Sequence, residues 1–488
     1  MAAGWSRSAR EPLTPRLVVT TPPTRFAERR YVIRVLLEEF LGQSVHVQPG
    51  DLDHTAITCA DSSGVVVVPD GLFALPPSLW LTPGSLPREP VAWVRPREFL
   101  ERQRLPFDRS PAIYKPAMAS ALQRTALEPD ALVEVPMDLF GGAFFMLTRY
   151  EEAVLRTTDE HGRFPASASV AFRQGFLEAP VVNQYAEVLW AALHKLWPRL
   201  RRPRRTYSLW VSHDVDSPFF VYRPGRTRLA TLGLKGVVGD LVKRRDRSLA
   251  AGRLRAIRST LVKGAQGDPH FNLDRVMHAD EAFGLAATFF VMAGGGGPFG
   301  APYSLGDRDI RALLRQMSAR GHSIGLHASY ESAGDLGALR RECRTLRSTL
   351  TAEGVRQARL GSRAHYLRWF AGSSFKQLDE VGLDYDGSVA YADHAGFRCG
   401  TCYEFSTFDL EHAEPLGLTE RPLIAMESSV IDPWYMAMGH GESALGVFTQ
   451  LADQCRTYSG TFALLWHNTR LLGADEIGLY RQVLESCS

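Results

Sequence analysis

Downstream of residue 206, short apolar runs alternate with amphipathic helical patterns, and this alternation constrains the fold more than any other feature. Apolar runs of about four to eight residues, bounded by turn residues, are typical of buried strands. The predicted strands are TYSLWVS, LAATFFVMA, GHSIGLH, RLGSRAH, LDYDGSVAY, RPLIAMES and GTFALLWH. Helical patterns between them lie at 272–283, 307–320, 335–353, 373–381 and 442–457. Strands that alternate with helices predict an α/β fold with a parallel sheet.

Polar side chains stand where several of these strands end. The strand-end residues are Asp214 and Asp216, His327, Arg363 and His365, Glu427, and His467. In parallel barrels the active site lies where the strands terminate. We therefore expect these side chains to surround one site.

The segment SHDVD places Asp214 and Asp216 two positions apart. Residues two apart on a strand point to the same side, about 6 to 7 Å from each other. Two carboxylates this close repel each other unless a cation or a proton lies between them. We expect a divalent metal held by one of them, which leaves the other to act as a base.

The two histidines of GHSIGLHASYES have different expected roles. His322 and His327 are five positions apart, about 16 Å along a strand, with side chains on opposite sides. His327, at the C-terminal end, is the better metal ligand, and His322 is predicted to form a hydrogen bond at the opposite rim. His467 in LLWHNT is placed to donate a proton. Arg363 can orient a carboxylate through its bidentate fork, and His365 offers a further nitrogen.

Residues 206–470 resemble the polysaccharide deacetylase superfamily, carbohydrate esterase family 4. The resemblance rests on the ordered set SHDVD, ATFFV, GHSIGLH, SRAHYLRW and LLWHN. The upstream segments VPMDLFGGAFFMLTRYEE and DEHGRF are similar to a poorly characterised domain often found ahead of such deacetylases. The resemblance implies a distorted (β/α) barrel for this part of the chain.

The resemblance also implies roles for individual residues. Asp214 matches the general base of the family, and Arg363 matches the residue that positions it. Asp216 and His327 match metal ligands. His467 matches the general acid.

The sequence departs from the family pattern at two positions. Glu331 stands where members usually have a second metal histidine, and His365 stands where they usually have proline. The third metal ligand is therefore His365 or Glu331, with His365 preferred because imidazole suits zinc. The expected cofactor is a divalent metal, with zinc the preferred ion. Aromatic side chains expected to contact substrate are Tyr330, Tyr366 and Trp466.

A basic linker, PRLRRPRR at 198–205, marks the predicted domain boundary. It follows the helical pattern VVNQYAEVLWAALHKLW. Residues 1–197 combine the extended stretch RLVVTTPP, the helical pattern AERRYVIRVLLEEFLG and the strand-like SGVVVVP. The chain is thus predicted as a smaller α/β accessory domain at 1–197 and a deacetylase-like barrel at 206–488.

The chain carries a basic insertion at about 223–263. This stretch has twelve Lys or Arg but only Asp240 and Asp246 as acids. Ala250, Leu254, Ile257 and Leu261 recur at helical spacing within it. One interpretation is a basic amphipathic helix that contacts an anionic membrane surface, or the phosphates of a lipid-linked or nucleotide-linked sugar. The other is a solvated loop with a helical turn.

The composition of the chain indicates its cellular location and the kind of partner it binds. The sequence has no run of about 18 apolar residues, and its opening residues lack the apolar core of a secretory signal. Six scattered cysteines suit a reducing compartment, so the expected location is the cytoplasm, peripheral to the inner face of the membrane if the basic helix binds there. No nucleic acid partner is expected, because the aromatic interleaving typical of such proteins is missing.

The leading functional hypothesis is metal-dependent hydrolysis of an acetyl group, preferably N-acetyl, on a sugar or glycan precursor. Asp214 would act as general base and His467 as general acid. One alternative is a catalytically inactive barrel that binds saccharides. Another is a hydrolase of a non-sugar amide.

Overall fold

The computed structural model describes residues 17–60, 62–100, 103–115, 131–222, 235–242, 247–295 and 299–488, without the side chains of 248 and 249. The described chain divides into two compact units. Unit 1 takes in residues up to Leu155, with Val170–Arg205 and Phe408–Pro415. Unit 2 consists of Arg156–Ser169, Thr206–Thr407 and Leu416–Ser488. The segment Arg156–Ser169 therefore folds with unit 2, although the sequence pattern grouped it with the upstream residues.

Unit 1 contains a five-stranded mixed sheet of order β2-β1-β3-β4-β7 and a separate strand pair, β5-β6. In the larger sheet β1 is parallel to β2 and antiparallel to β3, and β4 is parallel to β7. Alternate residues of β1 are fully buried, as expected for a strand with one face on a core. The strands are β1 Leu17–Thr21, β2 Val45–Pro49, β3 His54–Cys59, β4 Ser62–Pro69, β5 Ala92–Val94, β6 Ser110–Ala112 and β7 Leu132–Glu134.

In unit 1 the residues of α3 are all buried, and α3 contacts α1, α4 and α6. Asp138 caps this helix, because its Oδ1 accepts a hydrogen bond from the amide of Gly141 at 2.7 Å. A Cβ at position 141 would lie 2.0 Å from Asp138 Oδ2, so this capped first turn of α3 requires glycine at position 141. The helices are α1 Phe26–Arg34, continued by a π-helical turn Val35–Phe40, α2 Arg97–Leu100, α3 Leu139–Leu147, α4 Tyr150–Leu155, α5 Val170–Arg173 and α6 Val181–Leu196.

Unit 2 is built on a nine-stranded sheet of order β13-β14-β12-β11-β10-β9-β8-β16-β15, of which the last two residues of β13 and the first two of β14 are assigned to unit 1. From β14 to β15 every neighbouring pair is parallel. The strands are β8 Ser208–Val215, β9 Thr288–Met292, β10 Ser323–Ala328, β11 Gly361–Ala364, β12 Tyr385–Asp386, β13 Phe405–Asp409, β14 Glu414–Glu420, β15 Ala425–Met426 and β16 Thr461–Leu465.

Helices connect these parallel strands, as the sequence pattern predicts. The helices of unit 2 are α7 Arg247–Lys263, α8 Leu273–Glu281, α9 Arg308–Ala319, α10 Leu336–Ala352, α11 Ser374–Glu380, α12 Glu427–Ile431, α13 Glu442–Thr457 and α14 Ala474–Cys487, the last of which follows the final strand. Residues 235–242 are also helical. In the predicted basic insertion, residues 223–234 and 243–246 lie outside the described residues. Over the described chain, no helix combines the length and apolarity needed to cross a bilayer.

The predicted mixed α/β architecture is confirmed, but a closed barrel is not observed. Among the described residues the sheet order has two ends, β13 and β15. The sequence pattern missed β13 and β14, and it overestimated LDYDGSVAY, which contributes only the two residues of β12. Because the strands that carry the polar residues are parallel, their carboxyl ends lie at one edge of the sheet. The register places His327 beside Arg363 on the next strand.

Candidate metal centre

A cavity of about 480 Å³ lies at this edge of unit 2. Among the side chains that line it are the titratable Asp214, Asp216, His327, His365 and His467. They come from the carboxyl ends of four strands, β8, β10, β11 and β16, and from the turns that follow them. The fold therefore brings these five predicted site residues into one cavity.

Asp216, His327 and His365 form a group that can hold a metal ion. Each offers one ligand atom, and these atoms lie within 4.8 Å of one another. Nε2 of His327 is 2.9 Å from Asp216 Oδ1, and Nε2 of His365 is 3.8 Å from the same oxygen. In the part of the chain that the structure describes, no second group of this kind is found.

The hydrogen bonding around the group fits a cation. His327 Nδ1 lies 2.9 Å from the carbonyl oxygen of Arg363, which can only accept, so Nδ1 carries the hydrogen. Burial opposes a charge on this ring, but Asp214 and Asp216 raise the pKa of His327 overall, so the position favours a cation. When the ring is neutral, the lone pair of Nε2 faces the Asp216 oxygen. Both atoms are buried without a hydrogen-bond partner, as is Nδ1 of His365. A divalent ion would satisfy such atoms, and two imidazoles with one carboxylate are a common zinc ligand set.

Electrostatics favours the same assignment. Burial opposes the charge of Asp216, but the imidazoles of His327, His467 and His365 lower its pKa overall. Burial lowers the pKa of His365 to about 3, with a further contribution from His327. His365 is therefore neutral near pH 7, and the lone pair of its unprotonated ring nitrogen is available to a metal.

Asp214 lies beside the metal group without belonging to it. Its Oδ2 is 3.7 Å from His327 Nε2, and its Oδ1 accepts a hydrogen bond from Arg363 NH1 at 3.4 Å. Arg363 is fully buried, and its NH2 donates to Ser212 Oγ at 3.1 Å. Arg363 therefore does not bind Asp214 with both amino groups as predicted; one amino group binds the Asp214 carboxylate and the other binds the Ser212 hydroxyl. Asp214 is held in one orientation next to the candidate ligands.

His467 forms a partly buried ion pair that the sequence did not reveal. Its Nδ1 lies 2.6 Å from Glu427 Oε1, and its Nε2 lies 3.6 Å from Asp216 Oδ2. Burial opposes its charge, but Glu427 and then the two aspartates raise the pKa of His467 to about 10. The ring is therefore protonated near pH 7. Glu427 stood out in the sequence only as a strand-end residue, without a role.

Of the three aromatic residues expected to contact substrate, only Tyr366 is among the residues that line the cavity. Tyr366 lines the cavity, whereas Tyr330 stacks on Phe299 with ring centroids 4.4 Å apart. The structure differs from the expectation at Trp466, which is fully buried against Tyr480. Adjacent residues at a strand end point to opposite sides, so His467 faces the cavity and Trp466 the helical layer.

Glu331, the alternative third ligand, does not belong to the metal group. It is exposed in the short 3₁₀ turn Tyr330–Ser332 that follows β10. His322 lies at the other end of β10, as predicted. Its Nδ1 accepts a hydrogen bond from the amide of Ala287 at 3.0 Å.

Arg163 is a cavity residue that sequence reasoning missed. Its Nε donates to Asp159 at 2.7 Å, while its two amino groups donate to the Tyr366 carbonyl and the Tyr435 hydroxyl, both at 3.3 Å. Tyr366 follows His365 and has a left-handed backbone (φ 61°) that is strained for a non-glycine residue. Arg163 therefore braces the turn that presents His365. The charged DEHGRF segment was the only signal, and it lies about 200 residues away along the chain.

Comparisons with known proteins give a family match upstream and weak structural similarities. A model of a family of unknown function, DUF7033, matches residues 17–198. No curated protein matches the chain.

Three solved structures are similar to the chain. The first is a protein assigned to the polysaccharide deacetylases from Mycobacterium smegmatis, with 16% identity and a TM-score of 0.36 over 59% of this chain and 87% of that one. The Puue allantoinase has 13% identity and a TM-score of 0.34 over 58% and 84%. The polysaccharide deacetylase of Bacillus cereus has 11% identity and a TM-score of 0.24 over 58% and 87%. Values this low assign neither a fold family nor an activity to this chain.

Proposed function

We propose that unit 2 is a metal-dependent hydrolase that removes an acetyl group, preferably N-acetyl, from a sugar or glycan precursor. One observation carries the proposal. A three-residue metal group, a buried aspartate and a protonated histidine line the same cavity. These are the groups that hydrolysis of an amide requires: an electrophile site, a base and an acid.

Asp216, His327 and His365 would hold the metal, which when bound supplies Lewis acidity toward a carbonyl group and water. Asp214 is the base that accepts a proton from the attacking water. The hydrogen bond from Arg363 keeps the Asp214 carboxylate turned toward the metal group. Beside the candidate ligands, the Asp214 carboxylate is in reach of a water molecule held at the metal site.

His467 is the acid that protonates the leaving group. Its ion pair with Glu427 keeps a hydrogen on Nδ1 and favours the imidazolium form, so Nε2 also carries a hydrogen to donate. An amine is a poor leaving group unless it is protonated as the C–N bond breaks. The raised pKa of His467 therefore supports an amide substrate over an ester.

The size and rim of the cavity support a saccharide. Its volume lies within the range of about 300 to 1,000 Å³ that small-molecule sites occupy. The rim presents Tyr366, Trp434 and Tyr435, and Trp434 is 71% exposed. Exposed aromatic faces of this kind pack against the apolar faces of sugar rings.

The test is acetate release from N-acetylglucosamine oligosaccharides by the zinc-loaded protein. We expect Asp214→Asn to lower kcat by about 10² to 10⁴, the usual contribution of a general base, while zinc binding is retained. Asp475→Asn, an exposed aspartate outside the cavity, is the matched control and should behave as wild type.

Two results would overturn the proposal. One is a metal-loaded protein that releases no acetate from N-acetylated or O-acetylated sugars yet still binds them, which identifies a saccharide-binding unit. The other is cleavage of non-sugar amides alone, which removes the sugar from the assignment.

A further inference from the structure

The helical segment 235–242 and helix α7 form a small packed pair within unit 2. Val237 of the first segment is buried in one cluster with Ala250, Ala256 and Ile257 of α7. A buried ion pair adds to this contact, with Arg253 Nε 2.7 Å from Asp240 Oδ2. These contacts identify the inward side of each helical segment.

The outward sides carry large apolar residues. Along α7, at about 100° per residue, Leu254 and Leu261 border the buried stripe of Ala250 and Ile257, and Val262 lies further round on the outward side. Leu254, Leu261 and Val262 are 48%, 44% and 78% exposed. In the segment 235–242 the exposed apolar residues are Val238, Leu241 and Val242. These two short segments thus supply six of the thirteen exposed large hydrophobic residues in the described chain, a concentration that indicates a binding surface.

The same outward sides are strongly basic. Around α7, Arg247 and Arg258 lie between Leu254 and Val262, and Arg255 lies beside Val262. Lys235 and Lys263, at the ends of the two segments, are also exposed and add to their positive charge. The acid of these segments, Asp240, is buried against Arg253, so the exposed charge is five positive and no negative among the described residues 235–242 and 247–263. We call these six apolar and five basic residues the basic apolar face.

We propose that the basic apolar face docks onto the surface of an anionic lipid bilayer. Arginines attract the phosphate headgroups, and aliphatic side chains between them enter the headgroup region, the combination found in interfacial helices. A second copy of the chain is a poor occupant, because it would bring five like charges against five others. The contact is independent of the proposed hydrolysis.

The test is sedimentation with vesicles of phosphatidylcholine alone or of equal parts phosphatidylcholine and phosphatidylglycerol. Wild type should bind only the anionic vesicles. The triple variant Arg247→Gln, Arg255→Gln and Arg258→Gln should lower partitioning on the order of 100-fold, since each cation near such a surface contributes about a factor of five. A matched control neutralises three exposed arginines elsewhere in unit 2, namely Arg341, Arg344 and Arg356, and should bind as wild type.

A second variant, Leu261→Ser with Val262→Ser, tests the apolar part. Its fold is checked by circular dichroism, and it should bind anionic vesicles at least about tenfold more weakly than wild type. If the α7 arginine variant and the control arginine variant lose the same amount of vesicle binding, binding depends only on net charge and the proposal is overturned. Unchanged binding by the serine variant would also overturn it. If the wild type dimerises without lipid and the serine variant does not, a second copy of the chain is the occupant instead.

Discussion

The choice of third metal ligand gives the sharpest prediction, because sequence reasoning left His365 and Glu331 open. The structure includes His365 in the metal group and leaves Glu331 exposed outside it. We therefore expect His365→Gln to lose tight zinc binding and Glu331→Gln to retain it. His322→Gln, a buried histidine at the far end of β10, is the matched control.

The magnitude follows from the surroundings of the group. Loss of a partner that merely orients a ligand costs about 10- to 100-fold in metal affinity, so loss of a ligand should cost at least about 100-fold. Neighbouring groups are poorly placed to replace it, because His467 is protonated and paired with Glu427 and Asp214 is paired with Arg363. At a zinc concentration about 100 times the wild-type Kd, zinc stabilises the wild type by about 2.7 kcal/mol. A variant with 100-fold weaker binding gains only about 0.4 kcal/mol.

The assay is chemical denaturation with and without zinc, supported by calorimetric titration. Six cysteines bind zinc in the unfolded chain and reduce the effect, but they do so equally in every variant. Differences from His322→Gln are therefore the quantity to compare. The assignment fails if His365→Gln keeps the zinc stabilisation of the control, or if Glu331→Gln loses it.

Three further predictions follow from buried polar groups. Burial raises the pKa of Glu151 from 4.5 to about 7, so between these pH values the folded protein holds a proton that the unfolded chain releases. The free energy of unfolding should therefore fall by up to about 3 kcal/mol as pH rises from about 4.5 to 7. Chemical denaturation of Glu151→Gln should show no such fall. Asp138→Ala removes the acceptor of three backbone amides and should cost about 2 to 4 kcal/mol in urea unfolding, with a loss below about 1 kcal/mol contradicting this. Arg163→Gln frees the Tyr366 carbonyl and should weaken zinc binding about tenfold by calorimetry, whereas wild-type affinity would show that the brace is unimportant.

Local pattern was enough to predict most elements of unit 2. The helical pattern at 442–457 coincides with α13, and the apolar run GHSIGLH contains β10. Because residues five positions apart on a strand point to opposite sides, the sequence predicted different places for His327 and His322. His327 lines the cavity, and His322 lies at the other rim. These features depend on neighbouring residues, whose spacing sets which side of a strand or helix each side chain occupies.

Long-range contacts were beyond such reasoning. The ion pair of His467 with Glu427 joins residues 40 positions apart, and the contact of Arg163 with Tyr366 joins residues 203 apart. The same holds for the choice between His365 and Glu331, since it depends on which side chain reaches Asp216. The alternation of strands and helices, and the polar groups at the strand ends, can be predicted from the order of the amino acids. Which of those polar groups meet is a property of the folded chain, because the distances between them are set by how strands and turns pack and not by their spacing along the chain.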